Sequence, residues 1–563
     1  MSTNLGMKRS FKAISKKIRK YYPSLSVEEK NGCIRLSGML NSAQDASKAG
    51  LLASGKGYKG ILNDIRIKDD DRRIPDLPLK SNELDFICPS VLIIGAGVLG
   101  CAIAREVARY NVSVLVVDKN DDVAMGESSF ANGNVKVDFS LKEGSNEWYY
   151  AAKGFQAFPR LVKDLDVPFN KCGQLILFSN YFQALALPHL FGKARRQEVK
   201  HVKLLGKRKL KIIEPNVPCW AKFAMFIEDS GVVDPVYLNC ALAENLQKNN
   251  VKVEFNTVVE GMTVERGWIK EVKTNRGVIT PQIVVNTAGI FADIVADMAK
   301  DRDFTLHTVK ENMIVFKPSA PLTRQCEKYP QSRSALSVVP MDGGKVAFAS
   351  RSDGTPKRED YSTNDVELES LFNASKTFIE DIKKEDVYSY SSCVFGRTYE
   401  DKLLIRRGVG TKNVIEVADV KDYALTACQA IAVDVAELAI GMLDGSKENF
   451  DFDPIRKSPV KLADLSPERV DETIRADSDY GKIVCRCAQI SKGEILDVIK
   501  ADDIHTVDGV KRRLGVGNGE CKGTRCSIKI AEILAEYYDV PLENIKSTGG
   551  GTILYGDTKG LKK

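Results

Sequence analysis

The stretch "KIVCRCAQISKGEIL", which starts at Lys482, separates Cys485 from Cys487 by a single residue, and "ECKGTRC" closes the pair Cys521-x4-Cys526. Thiolates are the ligands of choice for zinc and for iron–sulfur clusters. Four of them, supplied by two loops, can close a tetrahedral zinc site or hold an all-cysteine [2Fe-2S] cluster. Zinc ribbons space their ligands as Cys-x2-Cys, and the one-residue gap at Cys485-x-Cys487 suits that hairpin poorly. Arg486, Lys511, Arg512, Arg513 and Arg525 add positive charge near the thiolates. Such charge favours the reduced, more negative state of a cluster, although a solvated basic face needs no such role.

A second constellation lies far upstream. In "PSVLIIGAGVLGCAIAREVARYNVSVLVVDKN" a buried apolar strand runs into Gly95-x-Gly97-x-x-Gly100, a helix follows, and a second apolar strand ends in Asp118. In that setting the glycine triplet is a dinucleotide fingerprint. Gly95 makes the tight turn, Gly97 lets the backbone approach a pyrophosphate, and Gly100 lets helix and strand touch. The helix N-terminus faces the phosphate charge, and Asp118 accepts a bond from a ribose hydroxyl.

Resemblance narrows the dinucleotide. "ITPQIVVNTAGIFAD", residues 279–293, resembles the second FAD-contact segment of flavoproteins that carry an inserted substrate domain, a segment NAD enzymes do not need. "AMGESSFANGNV", residues 124–135, resembles the loop that lies along the flavin in the glycerol-3-phosphate dehydrogenase and D-amino-acid oxidase superfamily. The implied cofactor is FAD, with contacts from Gly95, Gly97, Gly100, Asp118, Lys119, Ser128, Ser129, Asn132, Gly289 and Thr426.

The elements that must position these residues read as follows. Residues 1–68 hold a basic helical stretch, two alternating strand patterns joined by Asn31-Gly32, a helix over "AQDASKAGLLAS" and a last strand "GILNDIRI". Asn-Gly between alternating runs is a hairpin signal. This small α+β unit resembles a BON domain, a module implied to touch phospholipid or partner surfaces. Residues 69–88, charged and holding two prolines, read as an exposed linker. Residues 89–450 alternate strand and helix, which predicts a Rossmann-like FAD-binding domain with an inserted mixed-sheet substrate domain. Residues 451–479 read as a connector, 480–540 as a small helical iron–sulfur domain and 541–563 as a tail. The fold class is thus α/β joined to α+β.

At 563 residues and 43% hydrophobic content the chain has material for several cores. A net charge of +7 against 82 basic and 75 acidic residues gives no reason to expect nucleic acid. No apolar run reaches the ~18–20 residues of a membrane span, and the N-terminus lacks the pattern of a secretory signal. Thirteen scattered cysteines in a large chain argue for reduced thiols. The expected address is cytoplasmic. Peripheral membrane contact through Lys8, Arg9, Lys12, Lys16, Lys17, Arg19 and Lys20 is the variant the basic helix allows.

From 90 to 540 the chain resembles FAD-dependent glycerol-3-phosphate dehydrogenases of the anaerobic type, and residues 480–538 resemble the bacterioferritin-associated-ferredoxin-like [2Fe-2S] domain. The resemblance implies hydride transfer from a small anionic secondary alcohol to FAD, then electron passage to a cluster on Cys485, Cys487, Cys521 and Cys526. An electron-accepting protein or a quinone would take the electrons onward. Arg397 in "VFGRTYED" matches the family's substrate arginine, a natural clamp for an anion; a salt bridge to Glu400 or Asp401 is its structural alternative.

Several positions depart from the pattern. Lys136 lies near the place of a family histidine, and "DGG" at 342–344 replaces a second one. In the flavin-facing stretch Asp419 and Ala424 replace glycines, and Asp422 and Tyr423 replace Ser-Pro. His189, His201, His307 and His505 sit in places that suggest structural roles. The base is then Lys310, Lys136 or Tyr423, or the substrate is a 2-hydroxy acid or amino acid, or the chain is a catalytically altered flavin and iron–sulfur electron carrier.

Overall fold

The computed structural model describes residues 2–55, 57–67, 74–331, 336–352, 357–517, 519–548 and 551–552. The side chains of Lys8, Arg9, Asp342 and Asp422 and the linker segment 68–73 lie outside the described residues.

The strands Val91–Ile94, Val114–Val117, Ile283–Asn286 and Val414–Ala418 are buried at every position, as a sheet covered on both faces requires. They form a six-stranded sheet in the order Lys252–Glu254, Val114–Val117, Val91–Ile94, Ile283–Asn286, Val414–Ala418, Leu404–Arg407. All neighbours are parallel except the last pair. The helices Val98–Val107, Pro235–Lys248 and Ala424–Ile440 cover one face with a single large core. The antiparallel strands Val259–Glu265, Trp268–Thr274 and Gly277–Ile279 cover the other.

Leu84 also belongs to that second core. Its N–H donates to Arg276 O at 2.9 Å, and Ser81 N donates to Asn275 O at 3.0 Å. The stretch read as an exposed linker is therefore bound to the domain over its second half, because Leu84, with Ile74 and Ile87 beside it, has apolar surface to bury.

The inserted domain is an eight-stranded sheet running Val387–Thr398, Leu306–Phe316, Lys345–Ser352, Ser337–Met341, Gln325–Lys328, Gln174–Phe178, Phe223–Ile227 and Val202–Gly206. Only Gln325–Lys328 with Gln174–Phe178 is parallel among the paired neighbours. The sheet is mixed, as expected. His201 immediately precedes the edge strand and is bonded to Asp229 at 2.8 Å.

The N-terminal domain follows the expected order: helix Ser2–Tyr21, strands Ser26–Lys30 and Cys33–Leu40, helix Ala43–Ala53 and strand Ile61–Ile67. Asn31 and Gly32 both take positive φ, 51° and 81°, which matches the twist a two-residue hairpin turn needs. The domain docks on the oxidoreductase through Asp64, which accepts from Arg302 at 2.9 Å, and through Asn63. Its Nδ2 donates to Tyr399 OH at 2.5 Å and its N–H to Thr305 Oγ1 at 3.0 Å. His307 is part of this joint, stacked on Tyr399 and in contact with Ser47.

The C-terminal domain packs the helices Lys492–Asp502, Val507–Leu514 and Ser527–Tyr538 on their own core. Ile545 is buried in it too, and the strands Lys546–Thr548 and Gly551–Thr552 extend the unit past residue 540. A buried ion pair holds it to the FAD-binding fold: Asp122 accepts from Arg512 at 2.9 Å and from Arg513 at 2.8 Å. Among the described residues no helix is long and apolar enough to cross a membrane.

Candidate active site and cluster site

The glycine turn and the second FAD-contact segment meet. A Cβ on Gly95, which sits at φ +111°, would come within 2.4 Å of Thr287 O, and a Cβ on Gly100 within 1.9 Å of Gly95 O and 2.9 Å of Thr287 Oγ1. Only hydrogen fits at either position. Val98 N, at the start of the helix, donates to Ser128 Oγ at 3.1 Å, which brings the flavin loop to the helix N-terminus. Asp118 accepts from Ala96 N at 2.7 Å and Asn120 N at 2.8 Å. Burial holds its carboxyl above the ordinary range despite those donors.

A large cavity opens over this turn. Gly95, Gly97, Gly100, Asp118, Lys119, Ser128, Asn132, Gly289 and Thr426 all line it. Ser129 is not among its lining residues; its hydroxyl donates to Gly126 O at 2.7 Å. Lys119 is ion-paired with Glu359 and lies over the Phe291 ring. The cleft, the glycine cradle and the helix N-terminus together fit a bound FAD.

The far wall of the cavity comes from the inserted sheet. Arg397 and Lys136 line it, and Lys310 does not. Side chains alternate along the strand Leu306–Phe316, so Glu311 faces the cavity while Lys310 reaches Ser362 Oγ and Asp360, each at 3.3 Å. Lys136 is ion-paired with Glu327, which also receives Gln331. Arg397 donates to Asp419 at 3.4 Å. Asp419 is thus one carboxylate partner of Arg397. Tyr423 lines the cavity beside Ala424, at the start of the helix Ala424–Ile440.

Sequence reading passed over Glu127, although the loop that carries it was singled out. Its carboxylate lines the cavity and accepts from Gly396 N at 3.2 Å. Burial pushes it up to about 7, against the opposing pull of that N–H and of Arg397. A carboxyl beside Ser128 in a flavin loop was the available signal. Glu327 carried none, since it meets Lys136 only across 191 positions of sequence.

At the other centre Cys485 and Cys526 are buried, Cys521 is half-buried and Cys487 is exposed. Cys521 interacts with Cys487, and Cys526 with both Cys485 and Cys521, so the four sulfurs come together from the two loops. Among the described residues no three His, Cys, Asp or Glu side chains gather around one point that could hold a single ion. One zinc needs all its ligands on one centre, whereas a [2Fe-2S] cluster spreads four cysteines over two irons. An all-cysteine set drawn from two loops fits the cluster. Backbone N–H groups of Gly523 and Arg525 directed at Cys521 lower its pKa, which favours thiolate. A Cβ on Gly519 would fall 2.7 Å from Cys487 Sγ, so glycine leaves that sulfur its room.

Residues 90–438 match the family model of FAD dependent oxidoreductases. The chain belongs to that family. Within this FAD dependent oxidoreductase, residues 483–536 match the BFD-like [2Fe-2S] binding domain, so FAD and a [2Fe-2S] cluster are the cofactors of the two centres. Over 477 residues the oxidoreductase is 28% identical to a glycerol 3-phosphate dehydrogenase of Caloramator mitchellensis, covering 83% of this chain and 98% of the relative. It is 24% identical to a mitochondrial L-2-hydroxyglutarate dehydrogenase of Nematostella vectensis over 50% of this chain and 66% of that one. Among solved structures, an FAD-bound L-alpha-glycerophosphate oxidase of Mycoplasma pneumoniae superposes with a TM-score of 0.62 at 21% identity, covering 66% of this chain and 100% of the other.

Proposed function

We propose that the oxidoreductase is a glycerol-3-phosphate dehydrogenase-like enzyme that oxidises a small anionic secondary alcohol and sends the electrons through its own cluster to an external acceptor. The observation that carries this reading is the presence of both matched modules in one chain that aligns over nearly the whole length of a glycerol 3-phosphate dehydrogenase. Bound FAD supplies the hydride acceptor, and the cluster a one-electron outlet.

The chain's own groups do the rest. Arg397 is the anion clamp, its planar fork matching a phosphate or carboxylate. Lys136 sits in the same wall, and its pairing with Glu327 gives the alcohol proton a relay to a carboxylate. Tyr423 and Glu127 bound the cavity around the reacting centre. The helix Ala424–Ile440 directs its N-terminus at the cavity, where partial positive charge offsets the charge that develops on reduction. Anaerobic titration with glycerol 3-phosphate should bleach the flavin. No bleaching by that substrate, with the flavin intact to dithionite, overturns the reading.

The likeness to an L-2-hydroxyglutarate dehydrogenase supports a second reading, in which the substrate is a 2-hydroxy acid or amino acid of the same superfamily. Bleaching by such an acid and not by glycerol 3-phosphate would select it. Lys310, outside the cavity lining, is the weakest of the base candidates. We read the N-terminal domain as BON-like and as the means of a peripheral membrane contact. Loss of sedimentation with anionic liposomes after removal of residues 1–70 is the expected result.

A further inference from the structure

The two sides of the cluster-binding loops are built differently. On the inner side Lys522 donates to Tyr388 O at 2.6 Å with its ammonium 3.6 Å from the centre of the Tyr388 ring. Glu520 meets Lys317 at 3.3 Å, and Arg512 and Arg513 close on Asp122. This side is committed to the oxidoreductase domain itself.

The outer side carries an exposed ligand, Cys487, and three exposed cations close to ligands in sequence: Arg486, Arg525 and Lys529. None of the three makes an ion pair with a carboxylate among the described residues. Two of the acids nearby are already held, Asp479 by Lys482 at 2.7 Å and Glu536 by Lys492 at 2.9 Å, and Glu532 stands exposed one turn beyond Lys529. Two large apolar side chains also stand in solvent here, Ile483 at 40% and Ile528 at 46% exposure. Ile483 lies two residues before Cys485 and Ile528 two residues after Cys526, so apolar surface as well as charge flanks the ligands in sequence. Apolar contact ringed by like charge is the pattern of a small, short-lived protein interface steered by electrostatics.

We infer that this outer edge is the docking surface of an acidic one-electron carrier protein. The inference rests on the reading that the cluster is the outlet of the flavin. Each docking event passes one electron from the reduced cluster to the oxidised centre of the carrier, with no bond made or broken, so two events clear the two electrons of one substrate oxidation. The positive rim draws in an acidic partner, and the exposed Cys487 edge shortens the electron's path into it.

The experiment uses the full-length holoprotein and an oxidised acidic plant-type ferredoxin as probe, with binding measured calorimetrically at low salt and at higher salt. The expected result is binding that weakens about tenfold with added salt and again in Lys529→Glu, while electron transfer to a neutral quinone and the visible spectrum of the cluster stay as in the parent. Ile528→Glu, at a side chain that is exposed and outside the domain's core, is the second variant and should weaken binding likewise. Binding indifferent to salt and to both variants overturns the inference. So does loss of binding to anionic vesicles with ferredoxin binding kept, since the patch then serves a membrane. Because ferredoxin binding is read without any substrate, its outcome is independent of whether glycerol 3-phosphate bleaches the flavin.

Discussion

Arg397 and Asp419 face each other across 3.4 Å in the cavity wall, and the second oxygen of Asp419 is fixed by Thr398 N at 3.0 Å and Thr398 Oγ1 at 2.7 Å. Burial raises the Asp419 carboxyl, with Arg397 and Lys421 opposing. The proposed anion clamp and a carboxylate that competes for it are thus one unit. Asp419 sits at φ +52°, a left-handed position that asparagine also accepts. Asp419→Asn should therefore fold, remove the charge that competes for the guanidinium and lower KM for glycerol 3-phosphate by about tenfold, with kcat little changed, because one charge-assisted hydrogen bond is worth roughly 1.5–3 kcal/mol. Arg397→Met should cost kcat/KM about 10- to 100-fold on the same scale. Steady-state kinetics with the two variants measures both.

Glu127 should make cofactor retention depend on pH. Its folded pKa is raised, to about 7, from an ordinary value of 4.5, so the stability tied to its neutral form is complete below 4.5 and lost as pH rises through about 7. Ionisation then puts a carboxylate into a cavity that holds a diphosphate anion. FAD release, followed by fluorescence, should increase between pH 6 and 8, two values that bracket this pKa by about one unit, and Glu127→Gln should flatten that dependence. A parent protein with pH-independent FAD affinity would refute the assignment.

Asp122 holds the cluster domain in place. Asp122→Ala leaves Arg512 and Arg513 buried without their carboxylate, which should cost about 3–5 kcal/mol. The expected outcome is early release of residues 480–552 under limited proteolysis, with the flavin domain intact. Because Arg513 and Arg512 lower the Asp122 pKa, the contribution is present above the ordinary aspartate value of 3.8 and fades as pH falls below it. Acid should detach the cluster domain from the parent in that window and make no further difference to the variant.

Gly519→Ala should block cluster assembly while leaving the flavin bound. The added Cβ meets Cys487 Cβ at 2.4 Å and Sγ at 2.7 Å, too close for either sulfur or chain to stay put. Iron and acid-labile sulfide should fall to the level of Cys487→Ser, and the yellow flavin spectrum should persist without the cluster absorption.

Much of this was legible in the chain because it rests on local chemistry. Gly95, Gly97 and Gly100 are needed wherever a strand turns into a phosphate-facing helix, and each requirement is set by backbone geometry within a few residues. The cysteine spacings are equally local, and Asn31-Gly32 names its own turn. The mixed sheet and the order of its strands could be expected only as a class, since register depends on which faces find one another.

What the sequence by itself determined, then, is the identity of the two centres: a dinucleotide turn at 95–100 and a thiolate quartet at 485–526. Tertiary structure alone decided how they are wired. It paired Arg397 with Asp419 and Lys136 with Glu327, turned Lys310 away, and fastened Arg512 and Arg513 to Asp122 across 390 positions. Short-range signals are written into neighbours along the chain, but a charge finds its partner only after burial has removed water and left two distant side chains facing each other.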